Sequence, residues 1–270
     1  MNKTFDTNRF GNLLRYEFLS GWKSKARLTA IIFFILTYIY VSSQVTIDRT
    51  SPWAEEYLKE CLSGCNATTL VLFILFMALY AGTIFKNMKT KQQRITFLTL
   101  PASRLEKYLC RLTDITVGGA LCFAVAMAAA DVTQMALSML RTPAYFGSVT
   151  THYAGIHAPA TFTLFVLWLH SSYVLGGALF RRYHILLTTV THFAVMLVLM
   201  IASPFILPYV FDYLLTTGSM TYGVYNPHGN DVAVYALNIL LAVFFLLDHT
   251  AAYMIYTRMQ VINNKWFNLP

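Results

Sequence analysis

The fold of this chain is decided by the uncharged stretch LTAIIFFILTYIYVSSQVTI, residues Leu28–Ile47. A bilayer core of about 30 Å is crossed by about 20 apolar residues in a helix, so this stretch is long enough to span a membrane. Five further apolar stretches follow, at residues 67–85, 110–130, 160–180, 185–207 and 232–257. The sequence therefore predicts an all-α, polytopic membrane protein with six transmembrane helices.

The composition supports this fold class. Hydrophobic residues make up 57% of the chain and charged residues only 12%, whereas soluble domains carry about 25% charged residues. The segments between the apolar stretches are too short to form an independent core. We therefore expect one transmembrane domain over residues 1–270, with the first span kept as an anchor because it is longer than the apolar part of a signal peptide.

The basic residues are sorted by side of the membrane. With the N-terminus inside and the spans alternating, 17 of the 20 lysines and arginines lie inside, and only Arg49, Lys59 and Arg141 lie outside. The positive-inside rule then places both termini in the cytoplasm, in a cytoplasmic (inner) membrane. This sorting accounts for the net charge of +8, so no nucleic-acid partner is expected.

Residues 8–25 are expected to form an amphipathic helix before the first span. Apolar side chains recur there at helical spacing, at Phe10, Leu13, Leu14, Phe18 and Trp22. A basic helix with such a face lies in the membrane interface, in contact with lipid. Glu17 falls inside the apolar arc, and an ion pair with a neighbouring arginine is favoured over a contact with another subunit.

The cytoplasmic segment 86–109 contains both an apolar run and a helix start. Ile95–Leu100 is apolar within a basic loop, which indicates burial at the membrane interface or a docking partner. Pro101 ends the structure before it, and Ser103 with Glu106 forms a capping-box pattern. A new helix is therefore predicted to start near Arg104 and to run through the third span to about residue 140.

Several ionisable or thiol side chains need a role. We expect Asp114 to pair with Arg111 and Asp131 to be solvated near the outer end of the third span. For the deeper group, hydrogen bonding within the bundle is favoured over a proton or metal site, since the H-E-x-x-H spacing is missing. That group is His170, His192, Asp248 and His249. In the first outer loop, Cys61 and Cys65 are either bridged or, as favoured, free thiols.

The sequence contains neither the G-x-x-x-x-G-K-[ST] loop nor the Rossmann glycine fingerprint. It also lacks the G-x-S-x-G nucleophile motif. We therefore expect a protein that is not an enzyme by itself and that needs no cofactor. If the protein performs energised work, it uses ATP hydrolysis in a partner subunit or an ion gradient.

The layout resembles the type-2 permease class of ATP-binding-cassette transporters. The shared features are an interfacial basic helix, six spans, a cytoplasmic helix between spans two and three, and a broken outer segment at residues 205–215. The stretch LPASRLEKY, Leu100–Tyr108, is similar to a leucine-proline-alanine-serine motif in some of these permeases. The ending QVINNKW, Gln260–Trp266, is also similar to theirs.

The resemblance implies a permease subunit, by family resemblance an exporter, that works with a separate ATP-binding subunit and a second permease subunit, identical or different. Residues 95–107 would then couple to the ATP-binding subunit, and residues 181–184 would add a smaller contact. The coupling residues implied are Ile95, Phe97, Leu98, Leu100, Pro101, Ser103, Arg104, Glu106, Lys107, Arg181 and Arg182. The alternative is a non-transport membrane protein, such as an immunity, sensor or assembly factor on the same scaffold.

Overall fold

The computed structural model describes residues 5–45, 47, 53–88, 90–141, 147–150, 160–180, 183–195, 197–198, 201 and 227–258. These residues are helical along most of their length, which confirms the all-α prediction. The helices are α1 (Thr7–Ser20), α2 (Trp22–Val45), α3 (Ala54–Ala81), α4 (Lys91–Thr99), α5 (Arg104–Thr113), α6 (Gly119–Arg141), α7 (Ala160–Leu179), α8 (His184–Val195) and α9 (Pro227–Arg258). A 3-10 turn, Lys86–Met88, precedes α4.

Five helical segments of the described chain are long and apolar enough to cross a membrane, which indicates a multi-pass membrane protein. They are Trp22–Val45, Ala54–Ala81, Arg104–Leu140, Ala160–Leu179 and Tyr235–Arg258. The predicted fifth stretch, 185–207, contains α8, which is apolar but shorter than a span. Most of its remaining residues, and the predicted outer segment 205–215, lie outside the described part of the chain.

The third span is one long helix that starts well before its apolar part. Ser103 caps α5, and a π-helical turn at Asp114–Gly118 joins α5 to α6, so helical backbone runs from Arg104 to Arg141. Both the start near Arg104 and the extension to about residue 140 are confirmed. The predicted stretch 67–85 lies mostly in α3, which starts earlier, at Ala54, and ends at Ala81.

The N-terminal segment differs from the single helix predicted over residues 8–25. Helix α1 ends at Ser20, and Gly21 separates it from α2, which starts at Trp22. Asp6 caps α1 because its side chain accepts hydrogen bonds from the amides of Asn8 and Arg9. The last residues of the predicted helix therefore belong to the first turn of the first candidate span.

The described chain divides into two compact units. Unit 1 consists of residues 1–80 and 100–157, and unit 2 consists of residues 81–99 and 158–270. In unit 1, α2 packs along α6 and α1 packs along α5. The apolar core of unit 1 draws on α2, α3 and α6, with Leu36, Tyr40, Leu62, Phe123 and Ala126 among its most buried side chains.

Unit 2 is built around the packing of α7 along α9. Small residues permit close approaches within this unit. A Cβ atom on Gly177 would lie 2.5 Å from the carbonyl oxygen of Gly82, and one on Gly176 would collide with the Thr188 side chain. Phe85 stacks on Tyr256, with ring centroids 5.3 Å apart. A larger residue at either glycine of α7 would therefore force these elements apart.

Candidate functional site

Three ion pairs join the N-terminal part of unit 1 to the start of the third span. We call this group the N-terminal clamp. Its members are Arg9–Glu106, Glu17–Arg111 and Lys25–Asp114. In each pair one residue comes from α1 or the first turn of α2, and the other comes from α5 or the π turn. The clamp therefore fixes the N-terminal helix to the base of one long helix.

Glu106 of the clamp accepts hydrogen bonds with both of its carboxylate oxygens. Its Oε2 accepts the amide of Ser103 at 2.7 Å, and the Ser103 hydroxyl accepts the amide of Glu106 at 3.2 Å, which confirms the predicted capping box. Its Oε1 accepts the amide of Asp6 at 2.7 Å and the Arg9 guanidinium at 3.0 Å. One fully buried carboxylate thus starts α5 and also holds the first residues of α1.

The Glu17–Arg111 pair is buried on both sides. Arg111 Nη1 lies 2.9 Å from Glu17 Oε2, and the two side chains are 9% and 5% exposed. Burial raises the pKa of Glu17 above its usual value, and the charge of Arg111 acts in the opposite direction. Glu17 is therefore paired with an arginine, as the sequence favours, but with one far along the chain.

Lys25 pairs with Asp114 at the π turn. The sequence predicts that Asp114 pairs with Arg111, and in the structure each of these two residues also has a partner in the N-terminal segment. The Lys25 ammonium also lies 4.4 Å from the ring centroid of Phe18, a cation–π contact. A Cβ atom on Gly118 would come within 3.3 Å of Asp114 Oδ1, so the glycine leaves room for this pair.

The apolar arc predicted for the N-terminal helix is divided between two surfaces. Leu13 is buried, and Phe10 and Leu14 pack beside it against Ala102 and Cys110. By contrast, Phe18 and Trp22 are 48% and 57% exposed. Tyr16 and Leu19 nearby are exposed as well. Part of the predicted membrane face is thus an internal contact of unit 1, and a second apolar face remains exposed.

The predicted coupling segment is also divided. Phe97 is buried and Leu100 packs beside Leu13, so neither needs cover from a partner. The exposed side chains of the segment include Ile95, Thr96, Thr99, Pro101, Arg104 and the newly identified Leu105. Lys107 is buried. The side chain of Leu98, together with Arg181 and Arg182, lies outside what the structure describes.

Asp131 is not solvated, so that prediction is wrong. Its carboxylate accepts hydrogen bonds from Ser148 Oγ at 2.6 Å, Thr150 Oγ1 at 2.7 Å, the Val149 amide at 2.9 Å and Gln134 Nε2 at 2.9 Å. The segment 147–150 folds back onto the end of α6 and supplies most of these donors. A carboxylate with this many donors is satisfied away from water, which makes it an anchor for the segment.

The four side chains of the deeper predicted group all lie in unit 2. His192 contacts Thr188 O and Ser172 Oγ, each at 2.8 Å, and Asp248 accepts a hydrogen bond from Ser171 Oγ at 3.0 Å. His249 packs edge-on against Phe245, and His170 is buried. Among the described residues, no group of three or more His, Cys, Asp or Glu side chains has a geometry that holds a metal ion.

The two thiols predicted for the first outer loop are free, and both lie in α3. Cys61 donates to Ser43 O at 2.9 Å and Cys65 lies 3.0 Å from Ser43 Oγ.

The sequence reasoning missed two further polar residues. Gln44 donates to Gln134 at 2.8 Å inside the unit 1 core, and a glutamine within an apolar stretch was the one available signal.

The sequence reasoning also missed Asp6, Arg9 and Lys25 as partners of the third span. Glu17 gave the only hint, as an acid inside an apolar arc. The charged groups of the N-terminal clamp are paired with one another and hold α1 and α2 against the start of the third span, so the clamp stabilises helix packing.

No protein-family model, no curated protein and no solved structure matches the chain.

Proposed function

We propose that this protein is the transmembrane permease subunit of an ATP-binding-cassette transporter, acting as an exporter of an unidentified substrate. In this proposal it has six spans with both termini in the cytoplasm, and it is paired with a second permease subunit. A separate ATP-binding subunit supplies the energy. Helix α1 lies at the inner membrane surface and presents Phe18 and Leu19 to lipid, together with Trp22 at the start of α2.

The observation that carries the proposal is the rigid connection at the start of the third span. Helix α5 is capped outside the apolar region and continues through the π turn into α6. The N-terminal clamp holds α1 and α2 to this same helix. A displacement applied near Arg104 is therefore transmitted to two spans together, which is what a rigid-body gating motion requires.

The docking segment in this proposal is the continuous stretch of residues 95–107, which contains the end of α4 and the start of α5. Ile95 and Leu105 are each 41% exposed, and basic residues surround them in the sequence. An apolar side chain among basic residues is suited to a groove with an acidic rim on a soluble partner. The chain has no nucleotide motif of its own, so the partner must contribute the ATP site.

The experiment is purification of the protein from its own membranes in mild detergent, followed by identification of bound proteins and an ATPase assay. We expect an ATP-binding subunit to co-purify with the wild type. Ile95→Asp and Leu105→Asp should keep normal membrane insertion but lose that subunit. Phe97→Asp is unsuitable for this test because Phe97 is buried, and its loss would disturb folding directly.

Tyr57→Asp is the matched control, since Tyr57 is also exposed but lies at the start of α3, in the predicted outer segment. It should retain the ATP-binding subunit. If no ATP-binding protein accompanies the wild type, the transport proposal fails and a non-transport role on the same scaffold is favoured. If the subunit remains bound to both the Ile95 and the Leu105 variant with unchanged ATPase activity, the assignment of residues 95–107 as the docking segment is wrong.

A further inference from the structure

Unit 2 holds a histidine whose two ring nitrogens both face oxygen atoms. His192 lies on α8, with Nδ1 2.8 Å from the carbonyl oxygen of Thr188. Its Nε2 lies 2.8 Å from the hydroxyl oxygen of Ser172 on α7. The ring thus bridges two helices of the same unit. The protonation of these nitrogens follows from what each oxygen is able to donate or accept.

A count of the available protons restricts the state of this ring. The Thr188 carbonyl only accepts, so Nδ1 must carry a proton. The Ser172 hydroxyl has one proton and also lies 2.8 Å from the carbonyl oxygen of Leu169. When that proton goes to Leu169, Nε2 must donate to Ser172, and both nitrogens then carry protons. All three contacts are hydrogen bonds at once only when His192 is an imidazolium.

The surroundings of the ring stabilise a cation. The Tyr173 ring is stacked on His192, with centroids 5.3 Å apart and planes 13° from parallel, and Trp168 lies 6.1 Å away. Aromatic faces at such distances attract a cation. Asp248 on α9 is within electrostatic range of His192. In described residues 160–180, 183–195 and 235–258, the only Asp, Glu, Lys or Arg besides Asp248 is Arg258, the last residue of α9.

The carboxylate of Asp248 is held by a second serine. Ser171 Oγ lies 3.0 Å from Asp248 Oδ2 and 2.8 Å from the carbonyl oxygen of Trp168. A positive charge on His192 favours donation of the Ser171 proton to an ionised Asp248. Tyr173 is a further titratable group in contact with the ring, and His170 on α7 and His249 on α9 interact with each other. Ser171 therefore bonds to the acid Asp248, and the next residue, Ser172, bonds to the base His192.

A nucleophilic role for Ser172 does not fit this geometry, although a serine beside a histidine is the usual arrangement for one. Acyl transfer needs amide or side-chain donors that are free to bind the developing oxyanion. Ser172 lies in the interior of α7, where the backbone amides are already bonded to carbonyls four residues earlier. The pair is better suited to binding a proton than to breaking a bond.

We propose that His192 is a proton-binding site within unit 2, with Asp248 as its counter-charge. A proton from water binds to Nε2, the Ser172 hydroxyl turns from Nε2 to Leu169 O, and Asp248 remains a carboxylate. A lone cation would be costly in an apolar surrounding, and the nearby anion offsets that cost. The site goes beyond the proposed transport role and does not depend on it.

The test is ¹⁵N NMR of histidine-labelled full-length protein in lipid nanodiscs, titrated with acid. The His192 signals are assigned with His192→Gln or, if that variant does not fold, by elimination with single substitutions of the other six histidines. We expect Nδ1 of His192 to stay protonated throughout and Nε2 to gain a proton as the pH falls. A ring that keeps one proton down to the lowest pH at which the protein stays folded would overturn the proposal.

Two variants test the assigned groups. Asp248→Asn removes the counter-charge and should lower the proton affinity of His192 about tenfold, the effect expected of a nearby opposite charge. Ser172→Ala removes the acceptor of the Nε2 proton and should act in the same direction. Thr191→Val is the matched control, because it removes an exposed hydroxyl that bonds only to Leu187 O. An unchanged titration in both test variants would contradict the assignment.

Discussion

Single residues of the N-terminal clamp differ in how much they contribute, because they differ in burial. Glu17 and Arg111 are both withdrawn from water, whereas the exposed pair Glu55–Lys59 has side chains 69% and 66% exposed. Breaking a buried pair leaves an uncompensated charge, and breaking an exposed pair leaves a solvated one. The ion pairs of one chain therefore cannot be treated as equivalent.

We expect Arg111→Met to destabilise the protein by about 3–5 kcal/mol, the usual effect of removing one partner of a buried pair. Lys59→Met, the matched control, should cost at most about 1 kcal/mol. The double variant Glu17→Gln/Arg111→Met should recover much of the loss. The measurement is denaturant unfolding in detergent. Equal effects of Arg111→Met and Lys59→Met would contradict the burial argument.

The same variant has a defined pH dependence. The pKa of Glu17 is already raised by burial, with Arg111 opposing the rise, so loss of Arg111 raises it further. The folded state then binds the proton more tightly than the unfolded state. The stability of Arg111→Met should therefore fall as pH increases from the unfolded-state pKa of Glu17 to its folded-state pKa. A loss of stability towards acid pH in that interval would show that the assignment is wrong.

At the scale of elements, the long helix of the third span shows what sequence can and cannot predict. Its start at Arg104 was predictable because capping is local, with Ser103 and Glu106 only three residues apart. Its partners were not, because Glu17 and Lys25 lie far away in the sequence and local spacing favoured Arg111–Asp114. Asp131 was misjudged for the same reason, since its donors come from a later segment.

The capping box makes a second prediction about α5. Ser103→Ala removes the acceptor for the Glu106 amide and should cost about 1 kcal/mol. Glu106→Gln should cost more, about 1–3 kcal/mol, because the buried carboxylate serves three donors from different parts of unit 1 and an amide oxygen cannot serve them all. The readout is thermal unfolding in detergent.

Ser20→Ala is the control for these cap variants, since Ser20 bonds only to the Glu17 carbonyl, with the hydroxyl at 3.3 Å, at the end of α1. It should have little effect. If Glu106→Gln were no more destabilising than Ser20→Ala, then α5 would not depend on the cap. Its suitability as a rigid connection would then be in doubt.

At the scale of the whole molecule, the charge distribution gives an orientation that the helices alone do not. The five candidate spans and α8 are compatible with either side as the cytoplasm, and the preference comes from the 17 basic residues that the predicted topology places on one side. Helix α3 starts in the predicted outer segment, near Glu56, and α4 lies in the predicted inner segment, near Gln92. Both residues are exposed, so each reports on one side.

We therefore expect Glu56→Cys, in a cysteine-free background, to react with a membrane-impermeant maleimide on intact cells. Gln92→Cys should react only after the membrane is opened. Ser148 is a poorer reporter of the outer side because its hydroxyl holds Asp131, so replacing it would disturb the fold that is being probed. Labelling of Gln92→Cys on intact cells would reverse the orientation. It would place α4 away from any cytoplasmic ATPase, so the proposed coupling would be lost together with the topology.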